Sequence, residues 1–202
     1  VDKQDIVRTA LRLLNEVGVD GLSTRRLARE LGVESPALYW HFANKRALLD
    51  AVAEAMVADA LPADREPGAD WATWLAEDAR AKRRALLAYR DGARVHVGTL
   101  PTADELPAIE AQVRALCGCG FTPLDALRAC LVVERYIMGW VLEEQAFLQD
   151  ADRRPGPLYP DADLADYPLL TEAASVLRMS DRDADFDYGL DVILAGMATR
   201  VV

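Results

Sequence analysis

Cysteine is scarce in this chain: Cys117, Cys119 and Cys130 are the only three among 202 residues. An odd number with a single Cys-Gly-Cys pair builds neither a disulfide framework nor a zinc site. Reduced thiols packed as small apolar groups are the better reading. Long apolar runs are missing as well, since none reaches the roughly 18 residues that suggest a membrane span. The opening stretch VDKQDIVRTALRLL lacks a charged-then-apolar leader, so the expected location is the cytoplasm. Alternation of strand length is absent too, which leaves an all-α chain rich in Leu, Ala and Val as the expected fold class. No nucleophile elbow, Gly-rich phosphate loop or paired-carboxylate motif is present, which argues against an enzyme.

An excess of positive charge is also lacking. The chain carries 23 Lys and Arg against 33 Asp and Glu, a net charge of −10. That total argues against nucleic acid until its distribution is considered. Up to Arg46 there are eight basic residues against six acidic ones, so the acidity lies in the remainder. A mildly basic head on an acidic body suits a protein with one end facing DNA.

What is present is concentrated in Leu22 to Leu49, LSTRRLARELGVESPALYWHFANKRALL. Ser23 is an N-cap, and Leu27, Ala28 and Leu31 share one helical face. Gly32 supplies a sharp exit. Ser35 with Pro36 reads as a second start, a capping side chain with Pro at the first helical position. The helix from Pro36 to Trp40 or His41 is too short to stand alone. Asn44 caps a third. Before this stretch a helix over about 2–17 offers Ile6, Val7, Ala10, Leu11, Leu14 and Val17 as an inward stripe, ended by Gly18. With Leu27, Leu31, Leu38 and Trp40 that stripe predicts a small three-helix core. Two short helices around a Gly-containing turn form a helix-turn-helix unit, whose second helix can enter a major groove. A plain surface hairpin with solvated charges has the same spacing.

The rest reads as helices broken by Pro and Gly. A connecting helix runs from 45 to about 60, and Pro62–Ala69 is a break. Helices follow at 71–89, 106–119, about 124–148, about 169–179, and from Arg182 to the end. RDGARVHVGTLPT is a short interruption, and 150–168 is a Pro- and Asp-rich loop. The 124–148 and 182–202 helices carry more apolar surface than a small body covers. Intramolecular core is one explanation, and a two-fold four-helix interface between two subunits is the other. The second is favoured, because paired half-sites on DNA also call for a homodimer.

The segments LSTRRLARELGV and SPALYWHFANKRALLDA resemble the DNA-binding domain of the TetR (tetracycline-repressor) family. The resemblance implies a DNA-binding domain over 1–46 and an effector-binding and dimerisation domain over 47–202. It places Thr24, Arg25, Ser35, Pro36, Ala37, Tyr39, His41 and Lys45 at operator-contacting positions. Arg25 is the expected base reader, Pro36 and Ala37 the apolar base contacts, and Tyr39, His41 and Lys45 the phosphate contacts. The body stretches RRALLAYRDGARVHVGT and MGWVLEEQ and the Glu110–Gln112 region resemble the family's namesake. That likeness implies an effector pocket. His96 matches a direct metal ligand, Thr99 and Glu143 match positions holding the metal's water shell, and Gln112 matches a ligand-contacting amide. No resident cofactor is implied, only Mg²⁺ carried in by a chelating effector. His96 as a hydrogen-bonded helix-end histidine, and Glu143 as a solvated charge beside Glu144, are the plainer alternatives.

The chain departs from the family's pattern at Asp78 and Lys82, which replace a pocket asparagine and phenylalanine. Four apart on one helix, they can pair with each other. Pointing inward, they remove contacts to one ring of tetracycline. The expected effector is therefore a different planar, oxygen-rich molecule. Ile109, Cys130 and Met138 are candidate apolar lining, with core packing as the alternative for each. The functional expectation is a ligand-responsive repressor released from a palindromic operator. An activator has the same sequence signature. The rivals are a helical enzyme using His96 with Glu143 or Asp78, and an adaptor without DNA binding.

Overall fold

The structure is a computed structural model describing residues 1–58, 60, 70–149, 164–176 and 181–201. The expected break at 62–69 and most of the 150–168 loop lie outside the described residues. Ten helices are described: α1 (Lys3–Gly21), α2 (Thr24–Glu30), α3 (Ser35–Leu38), α4 (Lys45–Val57), α5 (Trp71–Leu87), α6 (Gly92–His96), α7 (Leu106–Gly118), α8 (Pro123–Gln149), α9 (Pro168–Val176) and α10 (Arg182–Ala198). Among the described residues no strand occurs, and no single helix is long and apolar enough to cross a membrane.

Local capping signals place the starts. Asp2 and Asp5 form a capping box on α1, and the side chains of Ser23, Asn44 and Asp70 cap α2, α4 and α5. Thr122 Oγ1 accepts from the Asp125 N–H at 3.1 Å at the start of α8. The Ser35 expectation fails in detail. Glu34 holds the cap position without a side-chain hydrogen bond, and Ser35 is already helical. The regular part of α3 ends at Leu38, and backbone bonds from His41 and Phe42 to the Leu38 carbonyl continue it as a turn.

In the head, Ile6, Ala10, Leu13 and Leu14 of α1 pack with Leu27, Leu38, Phe42 and Leu48. Trp40 is not in this core. It is 88% exposed, and Phe42, two residues on and 6% exposed, fills the place instead. Ending α3 at Leu38 rotates the turn so that Phe42 faces in and Trp40 faces out.

Gly18 interrupts α1 at φ 70°, ψ 175°, and the last turn then resumes to Gly21. A Cβ there would lie 2.6 Å from Asp91 Oδ2 and 3.2 Å from Arg90 Nε. Gly18→Ala is expected to destabilise the fold by at least about 1–2 kcal/mol, from the left-handed backbone alone. Urea unfolding at fixed protein concentration measures it.

The body is built on α5 against α8. Trp74, Leu75, Ala79 and Leu86 meet Ala126, Ala129, Val133, Ile137 and Val141, with Phe186 and Leu190 of α10 closing the layer. Gln145 stitches three helices together. Its amide donates to the Leu86 and Tyr89 carbonyls at 3.2 and 2.8 Å, and its oxygen accepts from the Ala93 N–H at 3.2 Å. The stretch expected as a plain interruption therefore contains α6, held at its start by a buried amide from α8.

Candidate DNA-binding surface and effector site

The residues expected at DNA share one property: none is buried. Arg25, Pro36, Tyr39, His41 and Lys45 are exposed, and Thr24, Ser35 and Ala37 are half-buried. Trp40 joins them as an exposed aromatic that sequence spacing assigned to the core. Leu38 anchors the turn from beneath, so Ser35 of α3 and Tyr39 and His41 of the turn that follows are presented by a fixed element. The exposure suits insertion of α3 into a groove, with Arg25 at the start of α2 and Lys45 at the start of α4 exposed as well.

A second site lies in the body. A cavity of about 70 Å³ is lined by Leu75, Asp78, Ala79, Lys82, Gln112, Cys130, Val133, Glu134 and Ile137. Sequence reasoning named four of these, Asp78, Lys82, Gln112 and Cys130. It missed the aliphatic wall and Glu134. His96, Thr99, Ile109, Met138 and Glu143 are not in the lining; Met138 is buried core and Ile109 is half-buried on α7.

Glu134 organises the polar side of the cavity. Its Oε2 accepts from the Lys82 ammonium at 2.6 Å, an ion pair that spans α5 to α8. Its Oε1 lies 3.8 Å from His96 Nδ1, is buried, and has no hydrogen-bond partner. His96 ends α6, and the Thr99 hydroxyl donates to the His96 carbonyl at 2.8 Å. Burial pushes the His96 pKa below its ordinary value, and the nearby Lys82 charge adds to this against the opposing pull of Glu134. The imidazole is therefore neutral at pH 7 and keeps a lone pair for a metal.

Glu143 does not join this cluster within one chain. It is exposed, while Glu144 beside it is buried. Nine residues separate it from Glu134, which on an α-helix is about half a turn round and roughly 13 Å along. Among the described residues, no three His, Cys, Asp or Glu side chains converge as metal ligands. The orphaned Glu134 oxygen beside the neutral His96 nonetheless fits a divalent cation that brings its remaining ligands with it.

The two sites are joined through α6. At its start Asp91, at φ 58°, accepts the Val19 N–H at 2.9 Å and the Gln149 amide at 3.1 Å, and pairs with Arg94 at 3.4 Å. Burial alone would raise the Asp91 pKa, but these partners outweigh it and hold the carboxyl below its usual range. Arg94 also bonds Asp20 at 3.0 Å, and the Arg90 N–H donates to Asn15 Oδ1 at 2.8 Å. Five residues of helix thus run from His96, beside the cavity residue Glu134, to a clamp on α1. Past α6, the Thr102 hydroxyl donates to Glu54 of α4 at 3.1 Å.

The profile described as "Bacterial regulatory proteins, tetR family" matches residues 6–52, and "Tetracyclin repressor-like, C-terminal domain" matches 61–201. The chain belongs to the TetR family. Among curated relatives of this TetR-family chain is the tetracycline repressor protein class A from transposon 1721 of Escherichia coli. The two are 50% identical over 199 residues, covering 96% of this chain and 89% of that one. A solved structure of a TetR variant from Acinetobacter baumannii AYE, in complex with minocycline, superposes with a TM-score of 0.77 at 43% identity. It covers 100% of this chain and 99% of its own. TetR class A in complex with 5a,6-anhydrotetracycline and magnesium gives 0.71 at 44% identity, covering 97% of each. The all-α architecture with an N-terminal helix-turn-helix unit is that of the family, and the chain is a DNA-binding transcriptional regulator.

Proposed function

We propose that this protein is a repressor that binds a palindromic operator as a homodimer and leaves it when a planar, oxygen-rich effector enters the α5–α7–α8 cavity. The observation that carries this is α6, with His96 beside Glu134 of the cavity wall and Asp91 clamped to the DNA-binding unit. An effector that takes hold of His96 displaces a helix too short to absorb the movement. The Asp91 clamp and the Thr102–Glu54 contact pass it to α1 and α4. The effector must bind the non-DNA state more tightly, and that difference in affinity sets the response.

Residues 1–46 form the DNA-binding unit in this reading, 47–202 the effector and dimerisation unit, and α4 the lever. Thr24, Arg25, Ser35, Pro36, Ala37, Tyr39, His41 and Lys45 contact DNA, to which we add Trp40. Asp78, Lys82, Gln112 and Cys130 contact the effector, with Ile109 and Met138 in the packing around it. His96 binds a Mg²⁺ that the effector carries in, and Thr99 orients its water. Glu143, exposed on the face of α8 away from Glu134, does not reach that metal within one chain. The dimer reading is supported by Leu127, Leu131 and Val132 on α8 and Tyr188 and Val192 on α10, all large apolar side chains left exposed. Gly139 and Gly196 have open space beside them on the same two helices. The cytoplasm is the proposed location, and no catalytic role is proposed.

The cavity of about 70 Å³ is well below the several hundred that drug-sized ligands occupy, so entry of such an effector requires its walls to move apart. Fluorescence anisotropy on DNA upstream of the protein's own gene tests the reading. Arg25→Ala is expected to weaken operator binding by about 1–3 kcal/mol and relax base preference at one position. Trp40→Ala should leave stability within about 0.5 kcal/mol while weakening operator binding. Unchanged affinity in both variants would sink the interface assignment. For the effector, planar polyketides and tetracycline are to be compared with and without Mg²⁺. The expected result is Mg²⁺-dependent release by the former and poor release by tetracycline, since Asp78 and Lys82 alter the wall it would meet.

A further inference from the structure

We infer that Glu134 is a second protein ligand for the metal at His96, so that the chain binds a divalent transition-metal ion with no chelating effector present. The inference rests on the effector-site reading above and goes beyond it by giving the protein two donors of its own. The carrying observation is the state of the Glu134 carboxylate. One oxygen is held by Lys82 at 2.6 Å, while the other is buried, unpartnered, and 3.8 Å from His96 Nδ1. A buried carboxylate oxygen without a donor is costly, and native structures rarely tolerate one without a reason. Two donors each about 2.1 Å from one ion stand roughly 3.0–3.8 Å apart for ligand angles of about 90–130°. The His96–Glu134 spacing falls at the wide end of that range.

The surroundings fit a cation in charge as well as in space. Asp78 and Glu134 bring two carboxylates to the cavity wall against one ammonium, Lys82. Lys82 works against the metal by its own charge, yet it also fixes the carboxylate so that Oε1 points away from it. One imidazole and one carboxylate, completed by waters, favour first-row transition ions over Mg²⁺. The separation of the two donors in the chain, 38 residues apart on α6 and α8, explains why no local spacing announces the site.

Mn²⁺ alone is the probe, with free ion read by electron paramagnetic resonance as it is titrated into the full chain without any tetracycline. One Mn²⁺ per chain is expected to bind wild type. Glu134→Gln is expected to weaken it by about tenfold or more, as is His96→Ala. Glutamine retains an oxygen for Lys82, and thermal unfolding of the metal-free variants checks that they fold. Lys82→Met should tighten Mn²⁺ binding by removing the competing charge. No binding by wild type up to 1 mM (on the order of the weakest protein sites), or unchanged affinity in Glu134→Gln, overturns the inference. The repressor reading is judged separately, by effector-driven release from DNA. If His96→Ala abolishes release and Glu134→Gln alters neither release nor Mn²⁺ affinity, the effector site stands and Glu134 is not a ligand.

Discussion

Glu144→Ala is expected to cost the fold about 3–5 kcal/mol, the loss that follows when one member of a buried ion pair is removed and its partner stays charged. Glu144 accepts two bonds from Arg83, at 2.9 and 3.0 Å, and both side chains are 8% exposed. Arg83 also donates to Asp183 of α10 at 2.6 Å, and its guanidinium lies 4.9 Å from the Phe186 ring centroid. Burial disfavours the Arg83 charge, but the two carboxylates outweigh it and hold its pKa above the ordinary value. The guanidinium therefore remains charged, and alanine at 144 would leave it with only the exposed Asp183. Chemical unfolding at one protomer concentration measures the effect, since dimerisation would make stability concentration-dependent. Glu143→Ala, one residue earlier and exposed, is the control and should stay within about 0.5 kcal/mol. Equal losses in the two would mean that Glu144 is not buried as described.

Asp91→Asn is the second large effect, expected at about 2–4 kcal/mol because a 4%-exposed carboxylate with three partners is replaced by a neutral amide. It should also separate the two sites. Hydrogen exchange at the Val19 amide is expected to speed up, and effector binding should no longer shift DNA affinity by the wild-type factor. The same group sets an acid limb in stability. Its native pKa is depressed, so its contribution is present in full above the unfolded value near 4 and is lost as pH falls through the lower native value. Between about pH 5 and pH 2 the wild type should therefore lose stability more steeply than Asp91→Asn. Parallel curves would remove Asp91 from the account.

Much of the head was legible because its signals are local. Ser23 and Asn44 cap helices within three residues of themselves, and Gly32 at φ 67° makes the turn its lack of a side chain allows. Trp40 shows where such reasoning stops. Helical spacing carried past Leu38 turns it inward, whereas the real helix ends there and the chain turns Phe42 inward instead. In the body the resemblance to the TetR family led to His96, Gln112, Asp78 and Lys82, and all four lie in or beside one cavity. It offered nothing on Glu134, because a lysine on α5 finding its counter-charge 52 residues away leaves no mark in local pattern.

Composition and periodicity by themselves determined an all-helical chain with a short, outward-turned helix near its start, since caps, turns and apolar spacing act within a few residues. Only the folded arrangement decided which charges are buried, which carboxylate faces the histidine, and how the cavity is tied to the DNA-binding unit. Those contacts join residues 52, 72 and 100 positions apart, Lys82 to Glu134, Val19 to Asp91 and Arg83 to Asp183. Their strength comes from exclusion of water, which is a property of the packed molecule and not of any stretch of chain.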